Sequence, residues 1–565
     1  IVVLQRYGLW ERYEKDPEAV IDALHQKAAG GDDRRDLRFA LAESSFLFGE
    51  TLETSASAGQ KTQAPDYYLD AALHAYLFLM GDSREAPPSP YDNRFREACD
   101  LHNRALGKGL ATGGEGLVVL RGGVRNLPSG PLSLSIDTSA FEWNLEQFDR
   151  ILGSDDYLVH GFTVRNRTAG LGVPLIAVNT SEKQLSGKRV VPLTAFFRLK
   201  AGGSESGSGP LEAILELHAT YDDSQVSVDG RLIPLESDVT AAIAYALDDP
   251  VIWSQGMRRF LRIREQIQPQ LVMSQPYQRG RIPVVFVHGT ASDLVWWAEM
   301  LNTLRGDPQV RGRYQFWFFR YNSSRPILDS AEALRRIVSE TRDAYDPEGT
   351  DPALQQMVVI GHSQGGLLTK MTVVRTGDLL WRSLSDTPFE QADLPPDGKE
   401  LARSWLFIEP LPFVKRVVFI STPHRGSFLA SPRIVNLFRK ILDFPADMIY
   451  GAAAVMKISE QWKLPYRLEG RIPTSLDGMS PKNPILQTLA EIPMAPGVAA
   501  HSIIAVKGDG DPLEGDDGVV AYQSAHLDDA VSEFIVRSGH SCQEHPLTIE
   551  EVRRILLEHL AAKSY

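Results

Sequence analysis

One short segment constrains this chain more than any other: six glycine-rich residues that directly follow an apolar run. The run is 357–360 (MVVI), the segment is 361–366 (GHSQGG), and an apolar helical pattern begins at Leu367. A buried strand that turns at once into a helix needs glycines where the backbone bends sharply. The pattern therefore predicts that Ser363 stands above a sheet at the start of a helix, in the geometry called a nucleophile elbow.

Apolar runs and helical patterns alternate through the C-terminal part of the chain, from about residue 245 to 565. Further continuous apolar runs lie at 284–287, 315–319, 417–420, 503–506 and 534–536. Strands that are apolar along their whole length are typical of a parallel sheet with helices on both faces. This part is therefore predicted to be an α/β domain with a mostly parallel sheet. Inserts at about 377–412 and 428–495 are expected to form caps or lids.

The N-terminal part, residues 1–110, has the patterns of helices. Apolar positions around Leu37 and Leu41 recur 32 positions later around Leu69 and Leu73. This near-period suggests a short array of helical repeats, and an ordinary helical bundle is the alternative. A helical domain is expected in either case.

Residues 111–244 change character, because short β-rich runs are separated there by Gly, Pro and Asn. The runs lie at 117–120, 132–136, 195–198 and 214–218. A shorter run at 190–191 is expected to end at Pro192, and the stretch 202–209 is expected to be a hairpin tip. The region is predicted to form a small antiparallel β domain.

The overall composition limits the classes of function. The 565 residues carry a formal net charge of -13, which disfavours binding to nucleic acid. The two cysteines, Cys99 and Cys542, provide neither a disulfide framework nor a Cys/His zinc pattern. No apolar run is long enough to span a membrane, so a soluble chain is expected. The chain opens at Ile1, which is compatible with removal of a signal peptide, lipid anchor or tag, and so with a periplasmic or membrane-associated location.

A serine nucleophile requires donors for the negative charge that develops on the carbonyl oxygen under attack. The backbone N–H of Gln364, directly after the serine, is one predicted donor, and that of Thr290 in the segment 288–290 (HGT) is the other. His288 precedes the serine at a position that normally supports this loop. It is therefore interpreted as structural rather than as a catalytic base.

Three segments together make the chain resemble a known group of enzymes: 288–290 (HGT), 361–366 (GHSQGG) and 422–427 (TPHRGS). It is similar to bacterial lipases and to the lipase-like α/β hydrolases related to GPI inositol-deacylases, over roughly residues 280–565. The resemblance implies an α/β-hydrolase fold, a carboxylic ester substrate and no required cofactor. It also favours a role in shaping the pocket, rather than as the base, for His424.

The same resemblance indicates the acid and the base. Bacterial lipases carry their acid in a D-G-x-V segment, which corresponds here to Asp517, with Asp516 as the neighbouring alternative. The predicted base is His540, 23 residues further on, at a separation similar to that in the lipases, and His545 is its competitor. His526 precedes the last apolar run and is disfavoured. Other acids of this loop are expected to be solvated surface, with Ca²⁺ binding as an alternative.

The sequence thus predicts an esterase or lipase, with phospholipid among the substrates considered. Acyl transfer and the cleavage of amides or polyesters would use the same triad, and a non-catalytic binding scaffold is a weaker alternative. Trp296 and Trp297 are expected either to line an acyl site or to pack in the core. The helical region is expected to contact a protein partner or a membrane surface, or only to cover the α/β domain.

Overall fold

The computed structural model describes two stretches of the chain, 2–247 and 268–562. Within them the described residues leave gaps at 31–33, 56, 82–85, 113–116, 158, 160, 181–188, 201–209, 222–223, 291, 293 and 428–477. Two compact units are present: one holds the described residues up to Ala246, and the other holds those from Leu247 onward. Within the described ranges, no helix is both long enough and apolar enough to span a bilayer.

Helices make up the first part of the first unit, as the sequence predicted. Their bounds are α1 (Val2–Arg6), α2 (Trp10–Tyr13), α3 (Pro17–Gly30), α4 (Arg34–Thr54), α5 (Ala58–Lys61), α6 (Ala64–Met80) and α7 (Phe95–Leu110). The helix α6 is buried on nearly all sides and packs against both α4 and α7. The two segments of the 32-residue near-period lie in α4 and α6. These two helices therefore form the centre of the helical layer.

A six-stranded sheet follows, with a final helix α8 (Val239–Leu247). The strand order is β1-β2-β7-β6-β5-β3. The strands are β1 (Gly123–Leu127), β2 (Gly130–Asp137), β3 (Arg150–Gly153), β5 (Val173–Asn179), β6 (Arg189–Leu199) and β7 (Leu211–Ala219), with short pairs formed by β4 (Arg167–Thr168) and β10 (Ser237–Asp238) and by β8 (Gln225–Val228) and β9 (Arg231–Pro234). The prediction of an antiparallel sheet is wrong at one pair, since β2 and β7 are parallel.

Pro192 does not end a strand, contrary to the prediction, but lies inside β6. Its carbonyl accepts a hydrogen bond from the N–H of Thr220 (3.4 Å), and the β6–β7 register begins only at Leu193. In an antiparallel pair the nitrogen and carbonyl of one residue face the same neighbouring strand, so the missing N–H of Pro192 faces β7, where the β6–β7 ladder stops. On its other side β6 continues, because Pro192 stays in register with Ile176 of β5. The predicted hairpin tip at 202–209 lies outside the described residues.

The helices and the sheet of the first unit share one core rather than forming the two domains that the sequence suggested. Side chains of α4, α6 and α7 belong to the same buried cluster as those of β5, β6 and β7. Tyr76 of α6, for example, packs edge-on against Phe197 of β6, with ring centroids 5.5 Å apart. Helix α6 is too apolar to leave a face in water, and the sheet covers it.

The second unit contains a seven-stranded sheet with the order β11-β13-β12-β14-β15-β16-β17, parallel except for the edge strand β11. The strands are β11 (Gln270–Met273), β12 (Ile282–Val287), β13 (Tyr314–Arg320), β14 (Met357–His362), β15 (Val414–Ile420), β16 (Ala499–Ala505) and β17 (Ser532–Val536). Each of the six predicted apolar runs lies in or overlaps one of these strands. An α/β fold is thus confirmed for this unit, and the antiparallel strand β11 was not predicted.

Helices connect these strands: α9 (Ala298–Gly306), α10 (Pro308–Arg313), α11 (Ile327–Tyr345), α12 (Gln364–Lys370), α13 (Leu379–Leu384), α14 (Pro396–Leu406), α15 (Pro484–Glu491), α16 (Tyr522–Ala525) and α17 (Pro546–Ala561). The insert 377–412 forms α13 and α14, whose Trp381 and Trp405 are buried in the core of this unit. Of the second predicted insert, 428–495, the helical pattern at 437–444 lies outside the described residues.

Candidate active site

The turn between β14 and α12 holds Ser363 in a strained backbone conformation. Ser363 has φ +54° and ψ −126°, which a residue with a side chain rarely adopts. Its N–H donates to the carbonyl of Ile420 on β15 (2.9 Å), and its carbonyl accepts from the N–H of Gly366 (3.0 Å). Strain of this kind persists only where the surroundings fix it, and it is concentrated at functional sites.

Glycines make this turn sterically possible. A Cβ on Gly365 would overlap the backbone carbonyl of Val287 at the end of β12, and one on Gly366 would overlap the hydroxyl of Thr422. The helix after the serine therefore lies almost in contact with the two neighbouring strand ends. This close approach explains in physical terms why the segment 361–366 needs its glycines.

The structure brings the three predicted catalytic side chains together. Nε2 of His540 lies 2.8 Å from Oγ of Ser363, and Nδ1 of His540 lies 2.7 Å from Oδ2 of Asp517. The residues follow three neighbouring or nearby strands, β14, β16 and β17, whose carboxyl ends meet at one edge of the sheet. An unbroken hydrogen-bonded chain thus runs from a buried carboxylate through an imidazole to a hydroxyl.

Asp517 is built to remain ionised although its carboxylate is buried. Its Oδ1 accepts hydrogen bonds from the backbone N–H groups of Val519 (2.9 Å) and Val520 (2.8 Å), while Oδ2 faces His540. Burial alone would raise the pKa of this carboxyl. The hydrogen bond and charge of His540, with the two backbone donors, outweigh burial and hold the pKa below its ordinary value.

His362, next to the serine, is a residue that the sequence analysis did not single out. Its Nε2 lies 2.8 Å from the backbone carbonyl of His540, and the two rings are 5.0 Å apart. Burial, followed by the proximity of His540, lowers the pKa of His362 to about 3, so this ring is neutral and donates one N–H. His362 therefore fixes the backbone of the proposed base. The sequence does contain a hint of this role, because His362 occupies the first variable position of the G-x-S-x-G motif, directly before the serine.

The two residues predicted to provide the oxyanion donors are in contact through their side chains. The hydroxyl of Thr290, in the loop after β12, donates to Oε1 of Gln364 (2.5 Å). Gln364 is the first residue of α12, where backbone N–H groups have no acceptor within the helix. The side-chain bond ties the loop after β12 to the start of this helix.

The alternative acid and base have other partners. Asp516 is exposed, and its carboxylate accepts from the N–H of Gly518 (2.7 Å). His545 accepts from the N–H of Leu547 (3.2 Å) at the start of α17. Both side chains stabilise turns of the backbone, whereas the imidazole hydrogen-bonded to Ser363 is that of His540.

Three other histidines of this unit, His288, His424 and His526, contact residues other than Ser363. The ring of His288 stacks on Tyr321, whose hydroxyl donates to the carbonyl of His288 (2.8 Å). His424 is buried edge-on against Phe419, and burial holds its pKa well below the ordinary value. His526 pairs with Glu533 (2.6 Å) at the surface.

Trp296 and Trp297, which follow the loop of Thr290, were expected either to line an acyl site or to pack in the core, and they differ in this respect. Trp297 is 1% exposed and packs on Phe286 of β12, so it belongs to the core. Trp296 is 36% exposed and remains a candidate for contact with a substrate. In the acidic loop, the carboxylate of Asp511 accepts from the N–H of Leu513 (3.0 Å) and so stabilises a turn.

Comparison with known proteins adds only weak likenesses. No family model matches this chain, and no curated protein matches it. A lipase of Bacillus licheniformis in its mature form is similar in structure, with 15% identity over 51% of this chain and 97% of that one and a TM-score of 0.29.

Two further solved structures are similar to the same extent. A lipase-esterase related protein of Clostridium acetobutylicum has 11% identity over 52% of this chain and 99% of that one, with a TM-score of 0.27. An esterase of Thermogutta terrifontis with bound butyrate has 12% identity over 54% of this chain and 92% of that one, with a TM-score of 0.29. Because these identities and TM-scores are low, the function is inferred from the site itself.

Proposed function

We propose that this protein is a serine hydrolase of the α/β-hydrolase type that cleaves carboxylic esters. The observation that carries the proposal is the chain of contacts from Asp517 through His540 to Ser363, at 2.7 and 2.8 Å. In this chain each nitrogen of one imidazole faces a different partner. That arrangement is suited to accepting a proton from a hydroxyl and returning it later.

In the first half of the reaction, Oγ of Ser363 attacks the carbonyl carbon of the ester while Nε2 of His540 accepts the hydroxyl proton. The carbonyl oxygen becomes an oxyanion, which the backbone N–H groups of Thr290 and Gln364 stabilise. When the tetrahedral intermediate collapses, the bond to the alcohol oxygen breaks and His540 returns its proton to that oxygen. An acyl-serine and a free alcohol result.

In the second half, water replaces the alcohol. The water oxygen attacks the acyl carbon while His540 accepts a proton from that water. The backbone N–H groups of Thr290 and Gln364 stabilise the new oxyanion. Collapse breaks the bond to Oγ of Ser363, which takes the proton back from His540. The products of the full cycle are one alcohol and one carboxylic acid, and the enzyme is unchanged.

Asp517 has two roles in this scheme. Its carboxylate accepts from Nδ1–H of His540, so that the lone pair of Nε2 faces the serine, and it stabilises the imidazolium formed in each half. The depressed pKa of Asp517 keeps the carboxylate charged through the neutral range. No metal or cofactor is needed for these steps.

A lipid ester is the substrate class that we propose first, because the segments 288–290, 361–366 and 422–427 resemble those of lipases. The exposed Trp296 offers an apolar surface next to the loop of Thr290. With a lipid ester as substrate, we also propose contact with a membrane or lipid surface and a location outside the cytoplasm. The rates of hydrolysis of short-chain and long-chain p-nitrophenyl esters, compared with each other, would measure the preference for acyl-chain length.

The direct test replaces the nucleophile. We expect Ser363→Ala to lower kcat for p-nitrophenyl esters by roughly 10⁴-fold or more, because no other hydroxyl replaces Oγ. Ser385→Ala is the matched control, since Ser385 lies at the end of α13 and outside this site. Ester turnover by Ser363→Ala close to that of the wild type would contradict the proposal. Product analysis in the presence of alcohols would distinguish hydrolysis from acyl transfer.

A further inference from the structure

A second group of imidazole and carboxylate side chains lies in the first unit, where the sequence analysis placed no site. It consists of His25 from α3 and of Asp70 and His74, one turn apart on α6. Nε2 of His25 lies 3.0 Å from Nε2 of His74 and 3.4 Å from Oδ2 of Asp70. Oδ1 of Asp70 lies 3.8 Å from Nε2 of His74. Two helices therefore bring one potential ligand atom from each of the three residues to within 4.8 Å of one another.

These separations match those expected around a metal ion. Zinc binds imidazole nitrogen and carboxylate oxygen at about 2.0–2.1 Å in a tetrahedron, so neighbouring ligand atoms lie about 3.3 Å apart. The separation of 3.0 Å between the two Nε2 atoms and that of 3.4 Å between Nε2 of His25 and Oδ2 of Asp70 are close to that value. The other carboxylate oxygen, Oδ1, lies 3.8 Å from Nε2 of His74. Little movement would be needed to admit a cation between the three side chains.

The charges in the cluster also call for a cation. Asp70 is fully buried, and in the described part of the chain its ion-pair partners are the two imidazoles. A carboxylate is costly to bury without an opposite charge. Both imidazoles cannot be protonated together, because their Nε2 atoms are only 3.0 Å apart. A divalent ion would neutralise the carboxylate and replace the close contact between the two nitrogens.

The positions of the ligand atoms are held from behind. The hydroxyl of Ser45 donates to Oδ2 of Asp70 (2.8 Å), and the N–H of Ser129 donates to Oδ1 (3.1 Å). Nδ1 of His25 and Nδ1 of His74 are buried and have no hydrogen-bond partner among the described residues. Without an ion, the contact between the two Nε2 atoms needs a proton on one of them. Because neither Nδ1 is engaged, that proton can move to Nδ1 when an ion binds, and both Nε2 lone pairs can then face the ion.

We propose that His25, Asp70 and His74 bind a divalent transition-metal ion, with zinc as the preferred ion, and that a water completes the coordination. The set of two imidazoles and one carboxylate suits such ions better than calcium or magnesium, which prefer oxygen ligands. The side chains of His25, Asp70 and His74 are 15%, 0% and 9% exposed, respectively. A site this buried joins α3 to α6, and its role is to stabilise the first unit. It does not depend on the function proposed for Ser363.

The test uses the full chain after removal of metal with a chelator. Isothermal titration with zinc should show one saturable site per chain, and zinc should raise the Tm. Cobalt should give the intense visible absorption of a tetrahedral site and should be displaced by zinc. A wild-type protein without saturable binding of either ion, or with a cobalt spectrum that remains that of the aqueous ion, would overturn the proposal.

A variant assigns the binding to these residues. His74→Gln keeps an amide near the position of Nε2 but removes the imidazole, and should weaken zinc binding by roughly 100-fold or more. His102→Gln is the control, since His102 is another buried histidine of this unit, with Nδ1 2.9 Å from the carbonyl of Ala72. Equal zinc affinity in both variants would reject the assignment. If His74→Gln does not fold, the cobalt spectrum of the wild type still decides whether the site exists.

Discussion

Each of the two units places a buried carboxylate beside imidazole, but the imidazole nitrogens are arranged differently in the two clusters. In the second unit, the two nitrogens of His540 face different partners, the carboxylate of Asp517 and the hydroxyl of Ser363. In the first unit, one potential ligand atom from each of His25, Asp70 and His74 lies within 4.8 Å of the other two. One arrangement can pass a proton along a line, and the other collects lone pairs around a centre.

The comparison shows that the residue types alone do not define the chemistry of a site. Asp517 and Asp70 are both nearly inaccessible to solvent, and backbone or side-chain donors hold both. What differs is the number of imidazoles and the direction of their nitrogens. Predictions that separate the two clusters therefore test the function of each.

The largest effect is expected from Asp517→Asn. An amide at this position can favour the wrong tautomer of His540, and kcat for an ester should fall by about 10⁴-fold. Steady-state kinetics measures the change, and circular dichroism verifies the fold. Asp516→Asn is the control, because that exposed carboxylate accepts from the N–H of Gly518, and the kcat of this variant should stay near the wild-type value. Similar losses in both variants would show that Asp517 is not the specific partner of His540.

A smaller effect, on stability rather than on turnover, is expected from Asp70→Asn in metal-free protein. Removal of the buried charge leaves the imidazoles of His25 and His74 without the carboxylate that they face, which should reduce the free energy of unfolding by about 3 kcal/mol. Urea denaturation of the full chain measures this loss. The exposed Asp100 on α7 provides the control variant, Asp100→Asn. A loss no larger than that of the control would mean that Asp70 carries no buried charge.

The third prediction concerns His362, which acts on the base through its backbone. His362→Phe removes the hydrogen bond to the carbonyl of His540, so that the imidazole is held less firmly. The loss of one hydrogen bond corresponds to about tenfold in kcat, with little change in KM. His545→Gln, at the start of α17, should leave kcat unchanged. If His362→Phe has the same kcat as the wild type, His362 does not position His540.

The smallest effect is a change in acid sensitivity. Because burial lowers the pKa of His362 from 6.5 to about 3, the folded protein binds fewer protons at this ring than the unfolded chain below pH 6.5. The stability that the neutral ring contributes is therefore present above pH 6.5 and is lost as the pH falls toward 3. His362→Phe should flatten the decline of the Tm with pH over this range. An unchanged slope would contradict the assigned pKa.

The parts that could be predicted from the sequence are those with local signals. Apolar runs predicted the strands of the second unit because parallel strands are buried on both faces, and the glycines beside Ser363 predicted its strained turn. The other two residues of the candidate triad, Asp517 and His540, were chosen over Asp516 and His545 through the resemblance to lipases, because acidic residues and histidines stand close together in this part of the sequence. Once the strands are ordered in the sheet, their meeting follows from the topology.

The features that escaped prediction depend on contacts between distant segments. His25 and Asp70 are 45 positions apart, and only the packing of α3 and α6 in the helical layer brings them together. The parallel pair β2–β7 and the core that the helices share with the sheet likewise depend on tertiary packing. The place of Pro192 inside β6 likewise depends on which neighbouring strand its nitrogen faces and on where that strand's pairing stops, which a single segment does not reveal.

The central claim is that the hydroxyl of Ser363 is activated by His540. Intact-protein and peptide mass spectrometry after treatment with a fluorophosphonate tests it most directly. The wild type should gain one adduct on the peptide that contains Ser363, while His540→Ala should be labelled at least 100-fold more slowly and His545→Ala at the wild-type rate. Labelling elsewhere in the chain, or equal rates in all three proteins, would contradict the claim.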